Sequence, residues 1–186
     1  MCGLKTTPKT VIYKGEKETM EIHIATAEPA DAQQLLEFLQ KVGGESDNLS
    51  FGEEGIGFSV EEEEAYLSQT ESSAESVMLL AKENGKVVGC ASLNRLPRRM
   101  NHRGEVSISV AKAYEGNGIG SRLLEGILAF ARAHSFEIID LQVRSDNARA
   151  IRLYEKYGFQ KIGTHPAFFK INGEYVPFDT MYLQVK

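Results

Sequence analysis

The sequence predicts a mixed α+β fold in one domain, and three observations predict it. Strand-like period-two segments and helix-like stripes share the chain without strict βαβ alternation, so the sheet is expected to be mixed rather than purely parallel. The 186 residues suit one domain with a sizeable core, and no repeat, linker or low-complexity run divides them. Hydrophobic content of 42% and charged content of 25% lie in the range of ordinary folded proteins.

Each element follows from local pattern. Residues 1–19 have no apolar helical run and read as a disordered tail or extension, with Met20 the expected start of a domain over 20–186. Glu21 to Ala25 alternates polar and apolar as a strand does. Pro29 suits a first helical turn, and Leu35, Leu36, Leu39 and Val42 form a helical stripe that Gly43-Gly44 is expected to end. Ser59 and Glu62 have the spacing of a capping box opening a helix from Val60 to about Gln69.

Val77 to Ala81 and Lys86 to Leu93 flank Asn84-Gly85, a two-residue hairpin signal. Glu105 to Ala111 alternates again, with Val106, Ile108 and Val110 on one face. A glycine turn, Gly116 to Gly120, feeds a helix bearing Leu123, Leu124, Ile127 and Leu128. Glu137 to Val143 is a strand, and Asn147 to about Tyr157 a helix closed by Gly158. Strands around Phe159 to Gly163 and Asp179 to Val185 flank a small hairpin at 170–174.

Composition excludes several function classes. A net charge of −5 argues against nucleic-acid binding, which needs a clustered basic face. The run Arg95, Arg98, Arg99, Arg103 is short and reads as a solvated hairpin. No stretch has the apolar length to cross a bilayer. Two cysteines, Cys2 and Cys90, make no disulfide framework, so a cytoplasmic location is expected, and Cys90 reads as a buried small hydrophobe. His23, His102, His134 and His165 show no metal-ligand spacing, and no metal is expected.

The chemistry sits in two segments. Glu115-Gly116-Asn117-Gly118-Ile119-Gly120-Ser121 lies between a strand and a long amphipathic helix. Glycines there let backbone N–H groups converge at a helix N-terminus, where orphan donors and the dipole favour phosphate. It is neither Gly-x-Gly-x-x-Gly nor a Walker loop, and a ligand-free structural turn is the alternative. Downstream, Asn147, Ile151 and Tyr154 fall at i, i+4 and i+7, so a helix would place an amide and a phenol on one face.

Together these segments resemble the GNAT superfamily of acyl-CoA-dependent N-acyltransferases. The family's Arg/Gln-x-x-Gly-x-Gly/Ala loop is matched by Glu115 to Gly120, except that Glu115 replaces the leading Arg or Gln. Asn147, Ala150, Ile151, Tyr154 and Gly158-Phe159 also match. The resemblance implies a twisted sheet, mostly antiparallel, splayed between two strands, with helices on both faces, and acetyl-CoA as co-substrate. It implies that Ile108, Ser109 and Val110 offer backbone groups to the pantetheine arm and acetyl carbonyl. Glu115, Gly116, Asn117, Gly118, Ile119, Gly120 and Ser121 would flank the pyrophosphate. Asn147 and Ala150 would lie by the pantetheine, and Tyr154 beside the sulfur as the acid for the departing thiolate. Tyr154 as a plain core aromatic is the alternative. Glu105 would orient or deprotonate the amine; a salt bridge with Arg103 or another neighbour is its alternative.

The acceptor groove, by resemblance, lies between the loop joining the first two helices and the loop joining the last two strands. Glu45, Asp47, Glu53, Glu54, Glu61 to Glu64, Glu174 and Asp179 would make its walls acidic and attract a cationic amine. A small amine such as a polyamine is the first expected partner. The α-amine of a protein is the second, and a non-catalytic acyl-CoA-binding module stays open. The last strand and its hairpin are a candidate homodimer surface.

Overall fold

The computed structural model describes residues 9–14 and 19–185. Eight strands form one sheet in the order β1-β2-β3-β4-β5-β6-β8-β7. They are β1 (Lys9–Lys14), β2 (Thr19–Thr26), β3 (Ser76–Glu83), β4 (Lys86–Arg95), β5 (Arg103–Val110), β6 (Ile138–Arg144), β7 (Gln160–Ile171) and β8 (Glu174–Gln184). The helices are α1 (Ala32–Glu45), α2 (Val60–Glu71), α3 (Ile119–Ala133) and α4 (Ala148–Lys156).

All neighbouring strands pair antiparallel except β5 and β6, which run parallel and pair only through Arg103–Glu105 and Ile138–Asp140. Beyond that short register β5 stays on β4 and β6 stays on β8, so a gap opens between them. This is the expected splay.

Helices cover both faces. On one, Leu35, Phe38 and Leu39 of α1 and Leu67 of α2 pack with Leu80, Val87 and Cys90 of the sheet. On the other, Leu123, Leu124 and Ile127 of α3 pack with Leu79, Ala91, Leu93, Val106, Ile139 and Leu141. Strand β4 feeds both clusters, which is why its sequence reads as a nearly continuous apolar run. A fully buried leucine of this kind contributes about 1.5–3 kcal/mol.

Local signals behave as their chemistry dictates. Ser59 and Glu62 form the reciprocal capping box, the Glu62 N–H donating to Ser59 at 3.2 Å and the Ser59 N–H donating to Glu62 at 2.8 Å. Asn84-Gly85 turns the β3–β4 hairpin with φ of 48° and 80°, and Asn172-Gly173 turns β7 into β8 with 50° and 88°.

Three expectations change. Helix α1 runs through Gly43-Gly44 to Glu45, and Gly43 serves close approach rather than termination. A Cβ on Gly43 would lie 2.0 Å from the carbonyl oxygen of Gly52. Part of the expected tail is a strand: Lys9–Lys14, with Val-Ile-Tyr at its centre, pairs antiparallel along β2. The strands β7 and β8 are also much longer than their apolar ends suggest, since main-chain pairing carries the hairpin out to Ile171 and Glu174.

The arginine run is only partly a solvated hairpin. Arg95 stacks over the Phe136 ring at 3.8 Å and donates to the carbonyl of His134 at 2.7 Å. Arg103 pairs with Asp140 at 2.8 Å. Cys90 is buried, and burial pushes its thiol up to about 12. Cys2 lies outside the described residues.

Candidate active site

A cleft of about 700 Å³ opens where β5 and β6 part. Strand β5 lines it with Ile108, Ser109 and Val110, the glycine turn with Glu115, Gly116, Gly118, Ile119, Gly120 and Ser121, and α4 with Asn147, Ala150 and Tyr154. The last turn of α1 and the loop after it close the cleft with Val42, Glu45, Asn48 and Leu49.

The glycine turn is built for exposed donors. Gly116 and Gly118 take φ of 83° and 74°, the left-handed region where a side chain is strained. Gly118 is the N-cap of α3, so no side chain satisfies the first N–H groups of that helix. The first amide of this turn to find a carbonyl is Arg122, which donates to Gly118 at 3.1 Å. The amides of Ile119, Gly120 and Ser121 therefore offer donors and the dipole's positive end to the cleft. Gly120 is helical and serves packing: its Cβ would sit 3.4 Å from Leu153 of α4.

Anchors hold the turn in place. The Tyr114 hydroxyl donates to Glu83 at 2.6 Å, and Asn117 Nδ2 donates to the carbonyl of Tyr114 at 3.2 Å. Asn117 is thus a brace within the turn and does not line the cleft. Tyr157 donates to Glu125 at 2.8 Å, tying α4 to α3.

Strand β5 supplies a second kind of donor. The Ala111 N–H donates to Val88 of β4, and successive strand amides point to opposite edges. The amides of Ile108 and Val110 therefore point toward the gap, beyond the residues that pair with β6.

Asn147 reaches the cleft by capping rather than by helical register. It is the N-cap of α4, and its Oδ1 accepts the Ala150 N–H at 3.1 Å. Ile151 belongs to the core side of α4 instead. Tyr154 is 6% exposed, its ring packs on Phe159 at 5.5 Å between centroids, and it still lines the cleft. Burial pushes its phenol up to about 12, so it holds its proton near neutral pH.

Glu105 is not brought into this cleft. It is exposed on β5, level with Asn94 of β4 and Asp140 of β6. The salt bridge considered for it with Arg103 is absent, since Arg103 turns to Asp140.

Five acids of the expected wall take separate jobs, while Asp47, Glu53, Glu64 and Glu174 stay exposed. Glu45 accepts the Lys112 backbone N–H, Glu54 that of Gly52, and Glu62 caps α2. Glu63 is buried beneath α2, which pushes its carboxyl above the usual range. Asp179 is buried among Ser145, Thr164 and Lys161 at 2.7 Å each.

Sequence reasoning missed the cations of the cleft: Lys112, Arg149, Arg152 and Lys156. The last three recur at i, i+3 and i+7 on α4, a helical stripe readable in the sequence. Arg149 is ion-paired with Glu115. Among the described residues no group of three or more His, Cys, Asp or Glu is placed to hold a metal, and no helix is long and apolar enough to cross a membrane.

A model of the acetyltransferase (GNAT) family matches residues 46–159, more than half of the chain. Over 94 residues the chain is 40% identical to the N-alpha-acetyltransferase RimI of Mycobacterium tuberculosis, covering 50% of this chain and 58% of that protein. It is 34% identical over 108 residues to the L-amino acid N-acetyltransferase AaaT of Escherichia coli, covering 56% and 65%. The chain thus spans less than two thirds of either relative. The crystal structure of a GNAT-family acetyltransferase from Streptococcus pneumoniae superposes with a TM-score of 0.85 at 34% identity, over 88% of this chain and 99% of that one. YncA of Salmonella typhimurium, solved with its cofactor acetyl-CoA, shares the fold with a TM-score of 0.78 at 23% identity, over 89% and 94%. With a family model over most of the cleft-forming residues and a close structural match nearly end to end, the chain belongs to the GNAT acetyltransferase family.

Proposed function

We propose that the protein is an acetyl-CoA-dependent N-acetyltransferase whose acceptor is an α-amine, as at a peptide N-terminus. One observation carries the reading. The uncapped N-terminus of α3, the open edge of β5 and the Tyr154 phenol all line one cleft. That arrangement fits a diphosphate at one end and a thioester at the other.

Bound acetyl-CoA supplies an activated thioester, so no enzyme nucleophile is needed. The glycine-turn amides would hold its diphosphate. The Val110 N–H, pointing into the gap, would donate to the thioester carbonyl and stabilise charge developing there. The Tyr154 hydroxyl holds a proton for the departing sulfur.

Four considerations favour an α-amine over a polyamine. A peptide α-amine has a pKa of about 7.7–8.0, against about 10.4 for a lysine-type amine, so a useful fraction is neutral without a strong base. Glu105, the expected base, lies away from the cleft. Of the acids expected to attract a polycation, Glu45, Glu54, Glu62 and Asp179 are hydrogen-bonded within the fold and Glu63 is buried. The relatives RimI and AaaT are named for α-amine and amino-acid acetylation.

The test is thiol release from acetyl-CoA with a panel of peptides varied at their first residue, free amino acids and spermidine. Peptide-dependent release is the expected result. Release with spermidine alone overturns the acceptor class, and coenzyme A binding without release on any amine overturns the enzyme.

A further inference from the structure

Glu115 stands where a carboxylate is least welcome, directly before the turn proposed to hold a diphosphate. The structure shows what offsets it. Arg149, from the first turn of α4, lines the same cleft and ion-pairs with Glu115. Both side chains lie at the surface, 63% and 42% exposed, so the contact by itself adds little stability.

Arg149 is misplaced for its own helix. It is the second residue after the Asn147 cap, where the dipole disfavours a cation, and the first turn of α4 carries no acid. An arginine held there needs an anion from elsewhere. Glu115 serves while the cleft is empty of phosphate, and a diphosphate on the adjacent amides is the stronger partner. The guanidinium fork is suited to two phosphate oxygens at once. Lys112, Arg152 and Lys156 also line the cleft, but Arg149 is the cation in contact with the residue that begins the turn.

We infer that Arg149 is the cationic ligand of the cofactor's diphosphate, parked on Glu115 and transferred to the phosphate when coenzyme A binds. It takes over the role of the cationic or amide residue that Glu115 displaces from the loop. This inference rests on the proposed cofactor site and names its charge partner.

The experiment is calorimetric titration of the folded full chain with coenzyme A and with dephospho-coenzyme A, for wild type, Arg149→Ala, Glu115→Gln and the double variant. Circular dichroism melts confirm that each variant folds. Arg149→Ala is expected to raise Kd about tenfold for both ligands. Glu115→Gln is expected to lower Kd about threefold by freeing the arginine. In the Glu115→Gln background the Arg149→Ala penalty should grow to about thirtyfold, because without the arginine the Glu115→Gln change has nothing to free.

Loss of the penalty in that background means Arg149 only neutralises Glu115, which overturns the inference. Loss of it with dephospho-coenzyme A moves the contact to the 3′-phosphate and overturns it equally, as does an unchanged Kd. Wild type that binds no coenzyme A removes both the cofactor site and Arg149's role. Normal binding with no acetyl transfer removes the enzyme and leaves Arg149's role standing.

Discussion

Glu45 Oε2 accepts the backbone N–H of Lys112 at 2.8 Å, locking the last turn of α1 to the segment between β5 and the glycine turn. The two residues are 67 positions apart, and Lys41 sits 3.7 Å from the same carboxylate. Through this bond, the helix face that closes the cleft is set against the strand that would present the thioester. Glu45→Ala is expected to raise KM for acetyl-CoA about fivefold, the loss of one charge-assisted hydrogen bond at a partly exposed site. Glu45→Gln keeps an acceptor oxygen and should fall between. Steady-state kinetics with a fixed acceptor reads both, and an unchanged KM for Glu45→Ala would show that the tie does not shape the cleft.

Tyr154→Phe should lower kcat about 100-fold while leaving the Kd for coenzyme A unchanged, because it removes a proton donor and keeps the ring on Phe159. The sign with pH follows from its raised pKa of about 12. An acid is competent below its pKa, so Tyr154 stays protonated throughout pH 6 to 10 and contributes no falling limb there. The rate should instead rise through the pKa of the acceptor amine, about 8 for a peptide. A falling limb below pH 10 that disappears in Tyr154→Phe would keep Tyr154 as the acid and contradict its raised pKa. An unchanged kcat in Tyr154→Phe removes it from the mechanism.

Gly43 and Gly44 make a paired test of packing against propensity. In a helix, Gly→Ala ordinarily stabilises by about 1 kcal/mol. At Gly43 the new Cβ would lie 2.0 Å from the Gly52 carbonyl oxygen, a clash with backbone that cannot rotate away. At Gly44 the nearest atom is Glu53 Cβ at 3.4 Å, an ordinary contact. Gly43→Ala should therefore cost about 2 kcal/mol or more, a fall in Tm of roughly 5 °C. Gly44→Ala should hold or raise Tm. Equal shifts for the two, measured by calorimetry, would discount the close approach of α1 to its following loop.

Glu63 predicts how stability depends on pH. It is 1% exposed and its Oε2 has no hydrogen-bond partner among the described residues, so burial favours the protonated form and raises its pKa. The folded chain then binds a proton that the unfolded chain releases at a lower pH. This contribution is fully present below the unfolded carboxylate pKa and is lost as pH rises through the folded value. Glu63→Gln should flatten that decline and be at least as stable as wild type at neutral pH. Chemical denaturation from pH 4 to 8 measures it, and parallel curves for the two proteins would refute the prediction.

Much of the chain was legible from near neighbours alone. The capping box of Ser59 and Glu62, the Asn84-Gly85 and Asn172-Gly173 turns, the stripe of α3 and the donors exposed by Gly116 and Gly118 all arise within four residues. Sequence by itself therefore determined most of the elements and their order, though not β1, and through the family resemblance it pointed to the glycine turn and Tyr154. Tertiary structure decided everything that depends on distant partners. It opened the gap after only three paired residues of β5 and β6, and it made Asn147 a cap. It gave the acidic residues separate jobs, left Glu105 outside the cleft, and brought Arg149 to Glu115 from 34 positions away. The physical reason is range. Propensity, capping and turn chemistry act over one helical turn or one hairpin, whereas ion pairing, burial and close approach act through space, between residues that only the folded chain makes neighbours.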